Sequence, residues 1–292
     1  MPDRPFVIWK GHGADQGIYS ARCDQGTEFH DVRKVSWFAS SRGLAAVVVP
    51  GGNGIRAAWR GAGDDSRLWT AAGHFTGDSW DDQALPPDVP RTEDRPALGV
   101  LGTQPVLAWR GAGADEHIWY SVLGPHGWTP QQVTSDGTAS SSHGPALAEH
   151  KGRLFMAWKG SGGNQNLYWC VYDGYSWTQP TAFPGGSTHG PALASNGFTL
   201  TMAWKGSGND DSLWRATYGD NGWSAQRLAI GRSSHGPALS RVDNRITMVW
   251  KGVAGDERLW WTPDNFASER PLGDGLTTSD TPAVIPLNFS DL

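Results

Sequence analysis

The stretch AWKGSGNDDSLWRA, residues 203–216, joins two aromatic, strand-like runs through a turn rich in glycine and aspartate. Its core, W-[KR]-G, begins again at Trp9, Trp59, Trp109, Trp158, Trp204 and Trp250, in steps of 50, 50, 49, 46 and 46 residues. One aromatic strand unit per period of this size is the mark of a radial β repeat. Around the fifth copy the period resolves into four runs: GPALA (190–194), LTMAWKG (200–206), SLWRATY (212–218) and a short run from Trp223. Five- or six-residue runs separated by Gly, Asn, Asp and Ser read as an antiparallel meander; we label its strands A to D. The first copy starts at strand B, FVIWKG (6–11), whereas the last runs on into a strand-A sequence, TPAVIPL (281–287). A C-terminal strand A that completes the N-terminal blade removes two open sheet edges. The expected fold is therefore all-β: a six-bladed β-propeller, four antiparallel strands per blade, closed as one domain over residues 1–292.

Composition narrows the partners. The chain has 29 acidic and 24 basic residues, a formal charge of -5, and lysines and arginines spread through the repeats. Nucleic acid and anionic membranes are poor matches for such a surface. The opening MPDRPFVIWKGHGADQ lacks a basic segment followed by an apolar run, and no run is long enough to span a bilayer. The expectation is a soluble protein, cytoplasmic or released without a visible signal peptide. Cys23 and Cys170 fall in the first and fourth repeats, across any six-fold ring and too far apart to bridge, which suits a reducing compartment.

Fourteen of the 17 tryptophans fall in three registers: the motif position, ten residues on (+10), and about nineteen residues on. An aromatic repeated in every blade is expected to pack sheet against sheet. The residue at +11 varies: Ser20, Thr70, Tyr120, Trp169, Arg215 and Trp261. Neighbouring strand residues face opposite ways, so Trp169, Trp261 and Tyr120 are candidate surfaces for stacking a ligand, with partly exposed edge aromatics as the plainer reading.

The turn between strands B and C always pairs a cation (Lys10, Arg60, Arg110, Lys159, Lys205, Lys251) with a polar residue at +6 (Asp15, Asp65, Asp115, Asn164, Asp210, Asp256). One reading is a structural clasp, since Lys and Arg interchange where a bidentate site would not allow it. The other is a set of pockets, each offering cation, carboxylate and indole to a sugar.

A second polar cluster opens strand A. SSHGPAL occurs at 141–147 and 233–239 and STHGPAL at 187–193; the equivalent stretches are SSRGLAA (40–46), TEDRPAL (92–98) and TSDTPAV (278–284). His143, His189 and His235 thus correspond to Arg42, Asp94 and Asp280, and antiparallel order gathers all six around one mouth of the central channel. Three imidazoles there invite a divalent metal with an open position, Asp94 or Asp280 serving as base or extra ligand. The plainer reading is an ancestral His-Gly-Pro turn. No nucleophile elbow, phosphate loop, HExxH or paired-cysteine motif is present.

AWRGAGADEHIWY (108–120), AWKGSGGNQNLYW (157–169) and AWKGSGNDDSLWRA (203–216) resemble the tandem repeats of bacterial and fungal β-propeller lectins, over essentially the whole chain. The resemblance implies sugars in clefts between adjacent blades, held by cation, acid and indole, and so points to Lys159, Lys205 and Lys251 with Trp169 and Trp261. The first and second repeats depart from SSHGPAL, so six equal sites are not expected. The expected function is carbohydrate binding, with a glycan or other small molecule as partner. The alternative is an enzyme with one site at the channel mouth, built from His143, His189, His235, Asp94, Asp280 and Arg42.

Overall fold

Strand B of each blade is packed on both faces, which is why its sequence is a near-continuous apolar run: Leu200–Lys205 is buried along its whole length, and so is Arg245–Lys251 after its first residue. The computed structural model describes residues 3–23, 28–51, 54–74 and 79–287. It shows six antiparallel sheets, numbered here I to VI by their motif tryptophans from Trp9 to Trp250. Innermost strands are Ala283–Leu287 in blade I, Leu44–Val48 in II, Ala97–Leu101 in III, Ala146–His150 in IV, Ala192–Ser195 in V and Ala238–Val242 in VI. Each abuts the innermost strands of both neighbours, and the circuit closes. The molecule is a six-bladed β-propeller.

Closure follows the permutation read from the sequence. Ala283–Leu287 pairs antiparallel with Arg4–Lys10, setting Phe6 opposite Ile285 and Ile8 opposite Ala283. Blade II departs from the four-strand plan. Its sheet holds three strands, and its outer position is made by isolated bridges such as Thr70 to Ala84 and Gly73 to Trp80. Pro86, Pro87 and Pro90 follow there, and proline lacks the N–H that a ladder needs. Helix is confined, among the described residues, to a 3-10 turn at Thr134–Gly137, and no helix is long and apolar enough to cross a membrane.

The motif tryptophans are the core between blades; Trp59, Trp109, Trp158, Trp204 and Trp250 are each 1% exposed. The +10 and +11 registers exchange the roles expected of them. Tyr19, Trp69, Trp119, Tyr168, Trp214 and Trp260 at +10 are only half-buried, whereas Ser20, Thr70, Tyr120 and Trp261 at +11 are buried. Trp261 packs edge-on against Phe29 at 4.9 Å, and Tyr120 lies against Tyr172 and Trp177. Trp169 is half-buried and stacks on Phe155 at 5.9 Å, beside Tyr218 and Trp223. The ligand-stacking roles expected of Trp261 and Tyr120 are therefore corrected, since both rings are buried between blades; Trp169 packs against the next blade and stays half-buried, as the plainer reading of an edge aromatic has it. Cys23 and Cys170 are buried thiols in different hydrophobic clusters, and burial pushes the Cys170 thiol up to about 12.

Candidate functional site

The six B–C turns turn their charges inward. Lys159 is 4% exposed, and its Nζ donates to Ser142 Oγ at 2.6 Å, Gly162 O at 3.0 Å and Gly160 O at 3.2 Å. Lys251 donates to Ser234 Oγ at 3.0 Å and pairs with Glu257 at 2.9 Å; Lys205 donates to Asp210 O at 3.1 Å and pairs with Asp211 at 3.3 Å. Buried and turned onto neighbouring carbonyls, serines and acids, Lys159, Lys205 and Lys251 fit the structural clasp of the two readings.

The +6 carboxylate is occupied as well. Asp115 accepts the His117 N–H at 3.0 Å and the Trp119 indole N–H at 2.8 Å; Asp210 does the same for Ser212 and Trp214, and Asp256 for Arg258 and Trp260. Hydrogen bonds from Arg67 and Arg258 lead the causes that hold Asp65 and Asp256 at about 2. The effect is to fix the +10 ring at a set angle beside the motif tryptophan: Tyr19 stacks over Trp9 and Tyr168 over Trp158, each at 6.1 Å.

The channel mouth gathers all six predicted residues. His143, His189, His235, Arg42, Asp94 and Asp280 line one cavity of about 270 Å³. The rings of His143 and His189 lie 5.2 Å apart, and those of His189 and His235 5.1 Å. Each Nδ1 meets the preceding hydroxyl: Ser142 at 3.1 Å, Thr188 at 3.0 Å and Ser234 at 3.0 Å. Burial lowers all three imidazoles from their ordinary value; His189, facing the other two rings, is pushed down to about 3. On the opposite wall, Asp94 accepts the backbone N–H groups of Arg95 and Gly144, and Asp280 that of Thr281. Burial, reinforced by Asp94, raises Asp280 above the ordinary carboxylate value.

The metal reading of His143, His189 and His235 lacks a coordinating geometry. Among the described residues no group of three or more His, Cys, Asp or Glu side chains is arranged to hold a metal ion. Sequence reasoning missed other lining residues, among them Glu93 and Arg95; the latter stands where four other copies have glycine. Its guanidinium crosses the axis from blade III to donate to Pro191 O of blade V at 2.9 Å. Beneath it the turns close like an iris. A Cβ on Gly190 would lie 2.3 Å from Gly144 O, and one on Gly236 2.2 Å from Gly190 O. Only glycine lets these backbones touch.

Among the described residues, clefts open between blades V and VI and between blades III and IV. The larger, about 290 Å³, is walled in blade VI by Trp250, Asp256, Trp260 and Glu269, and in blade V by Gly231 and Arg232. The other, about 180 Å³, lies at the equivalent place on blade IV, between Trp158, Asn164, Tyr168 and Pro180 on one side and Thr138 and Ser140 of blade III on the other. Gly231, at φ +90°, keeps the first cleft open, since a Cβ there would sit 2.4 Å from the Trp250 ring. Arg232 and Glu269 are exposed. Cation, carboxylate and indole do meet here, as the resemblance implied, but strand D supplies the charges. The signal was present at two variable positions: Arg232 aligns with Ser140 and Gly186, and Glu269 with Gln226 and Pro180.

No protein-family model and no curated protein sequence matches the chain. Solved structures do. AofleA from Arthrobotrys oligospora matches at 10% identity and a TM-score of 0.66, over 97% of this chain and 89% of its own. The lectin of Aleuria aurantia, described as a six-bladed β-propeller with a novel fucose recognition mode, matches at 15% and 0.63, over 95% and 98%. A Dyadobacter fermentans protein of unknown function matches at 14% and 0.66, over 99% and 92%. Likeness at such identities establishes the fold that these proteins share.

Proposed function

We propose that this chain is a carbohydrate-binding propeller whose sugars lie in the clefts between blades, with the cleft joining blades V and VI as its principal site. The observation that carries this reading is the convergence there of an exposed guanidinium, an exposed carboxylate and the half-buried Trp260 ring, backed by the buried Trp250, in one concave space. A sugar presents hydroxyls to charged groups and a C–H face to an aromatic ring, and this wall offers both. The blade IV cleft repeats the half-buried ring with Tyr168, over the buried Trp158, but replaces the charges with Thr138, Ser140 and Pro180, so it is the weaker or differently selective site. Two unequal sites on one rigid ring give avidity toward a branched or clustered glycan. The lectin of Aleuria aurantia, 16% identical in its fucoside complex, carries α-methyl-L-fucoside; that likeness favours binding over catalysis at the channel mouth and makes fucosides the first ligands to test.

A glycan array followed by calorimetry tests the proposal. Saturable binding of a sugar, lowered about tenfold or more by Trp260→Ala and by Glu269→Gln with the fold intact, is the expected result; a loss of about 1.4 kcal/mol corresponds to each factor of ten. Sugar binding unchanged in both variants, or no sugar bound at all, overturns it.

A further inference from the structure

The axial vestibule differs from the clefts in every wall. Its floor is Arg95, whose Nη2 is held by Pro191 O; no bond to its Nε or Nη1 is formed among the described residues. Arg42 on the rim is held only through Nε, which donates to Glu93 O at 3.1 Å. Neither guanidinium has a carboxylate within ion-pair distance among the described residues, although Glu93, Asp94 and Asp280 share the cavity and the last two act on Arg95 at longer range: Glu93 faces Arg60, Asp94 is engaged with two backbone N–H groups and Asp280 with one. Two guanidiniums that face one cavity, each with N–H donors unfilled among the described residues, offer a carboxylate or another oxyanion a place to bind.

The imidazole wall asks for something else. The Ser142 hydroxyl reaches both Gly160 O at 3.2 Å and His143 Nδ1 at 3.1 Å, and Ser234 reaches Gly252 O and His235 Nδ1, each at 3.0 Å. When its proton goes to the carbonyl, Nδ1 donates and Nε2 is an acceptor; when it goes to Nδ1, Nε2 becomes a donor. Each ring thus meets a ligand hydroxyl in either sense without a change of charge. A neutral sugar gives the guanidiniums hydroxyls but no opposite charge, and a bare inorganic oxyanion does not span a row of three imidazoles whose rings lie 5.2 and 5.1 Å apart. We propose that the vestibule is a second ligand site, independent of the sugar clefts, for a small hydroxylated carboxylate of the sugar-acid kind, its carboxylate on Arg95 and Arg42 and its hydroxyls along His143, His189 and His235.

Calorimetry of the full chain with D-glucuronate, D-glucose and inorganic phosphate tests the assignment. One glucuronate per chain is expected, with glucose and phosphate at least tenfold weaker. Arg42→Gln, on the exposed rim, lowers glucuronate affinity about tenfold, and Arg95→Gln abolishes it; because Arg95 also braces the channel, the rim variant decides if the other fails to fold. Trp260→Ala leaves glucuronate binding unchanged, so failure of the cleft reading and failure of this one are told apart. The assignment is overturned by absent binding, by glucose or phosphate binding equally well, by an unaffected Arg42→Gln protein, or by loss of glucuronate in Trp260→Ala.

Discussion

The B–C turns and the strand-D flanks border the same clefts, yet they hold their charges in opposite ways. Six turns carry nearly the same residues, bury the cation beside the motif tryptophan and tie the +6 residue into the turn: Lys159 onto carbonyls and a serine, Asp115 onto an amide and an indole. The flanks differ from blade to blade, and where they carry charge, as at Arg232 and Glu269, it stays in contact with solvent. Repetition marks what every blade needs in order to stand; variation marks what one blade does alone.

The largest effect that sets the two apart is the exchange of one tryptophan for another. Trp204→Ala, at a site 1% exposed, is expected to cost roughly 3–5 kcal/mol, the range for removing a large buried side chain. Trp260→Ala, half-buried in the cleft, is expected to cost much less and to abolish sugar binding instead. Urea unfolding beside calorimetry reads both, and equal destabilisation would erase the distinction. Next comes the iris. Gly190→Ala forces a Cβ to within 2.3 Å of Gly144 O, an overpacking expected to cost about 1–3 kcal/mol, seen as a lower Tm; an unchanged Tm would mean the turns part without penalty. Asp115→Ala removes the acceptor for two N–H groups and should cost about 1–2 kcal/mol, checked by the same denaturation.

Acid separates the regions by pH. His189 titrates near 3 when folded and near 6.5 when unfolded. Between those values the unfolded chain binds the extra proton, so this histidine's share of stability declines as pH falls from about 6.5. Asp65 and Asp256, held at about 2 against an ordinary 3.8, contribute stability that is present above about 4 and lost only below it. Melting curves from pH 7 to 3 should therefore fall in two stages. His189→Gln makes the upper stage shallower and leaves the lower one unchanged, the remainder belonging to His143 and His235, which burial lowers too; a variant that leaves it as steep would assign that stage elsewhere. The smallest expected effect is on the flank: Glu269→Gln should move stability by no more than about 0.5 kcal/mol, as exposed sites do, while its sugar affinity falls.

The ring, its permuted closure and the gathering of six polar residues at one mouth were all legible in the sequence, because a period and an antiparallel strand order determine them. The orientation of individual rings was not. Variation at +11 reads as exposure, yet Trp261 varies because it fills space beside Phe29, and Tyr120 because it packs on Tyr172 and Trp177. Core positions change in concert with partners from another blade, and a single sequence does not display that concert. The turn cations left two readings open for a related reason: a lysine beside tryptophan looks available until the carbonyls that surround it are in place. Arg95 went unremarked because an extra side chain at a glycine position has meaning only when the channel it crosses is known.

The pairing of Ala283–Leu287 with Arg4–Lys10 also sets an order of events in synthesis. Blade I emerges from the ribosome first and is completed last, since its innermost strand is not translated until every other blade has been made. Until then the nascent chain carries an unfinished sheet with an exposed hydrogen-bonding edge, and the final annealing joins residues from opposite ends of the polypeptide, which makes it a slow, long-range closure.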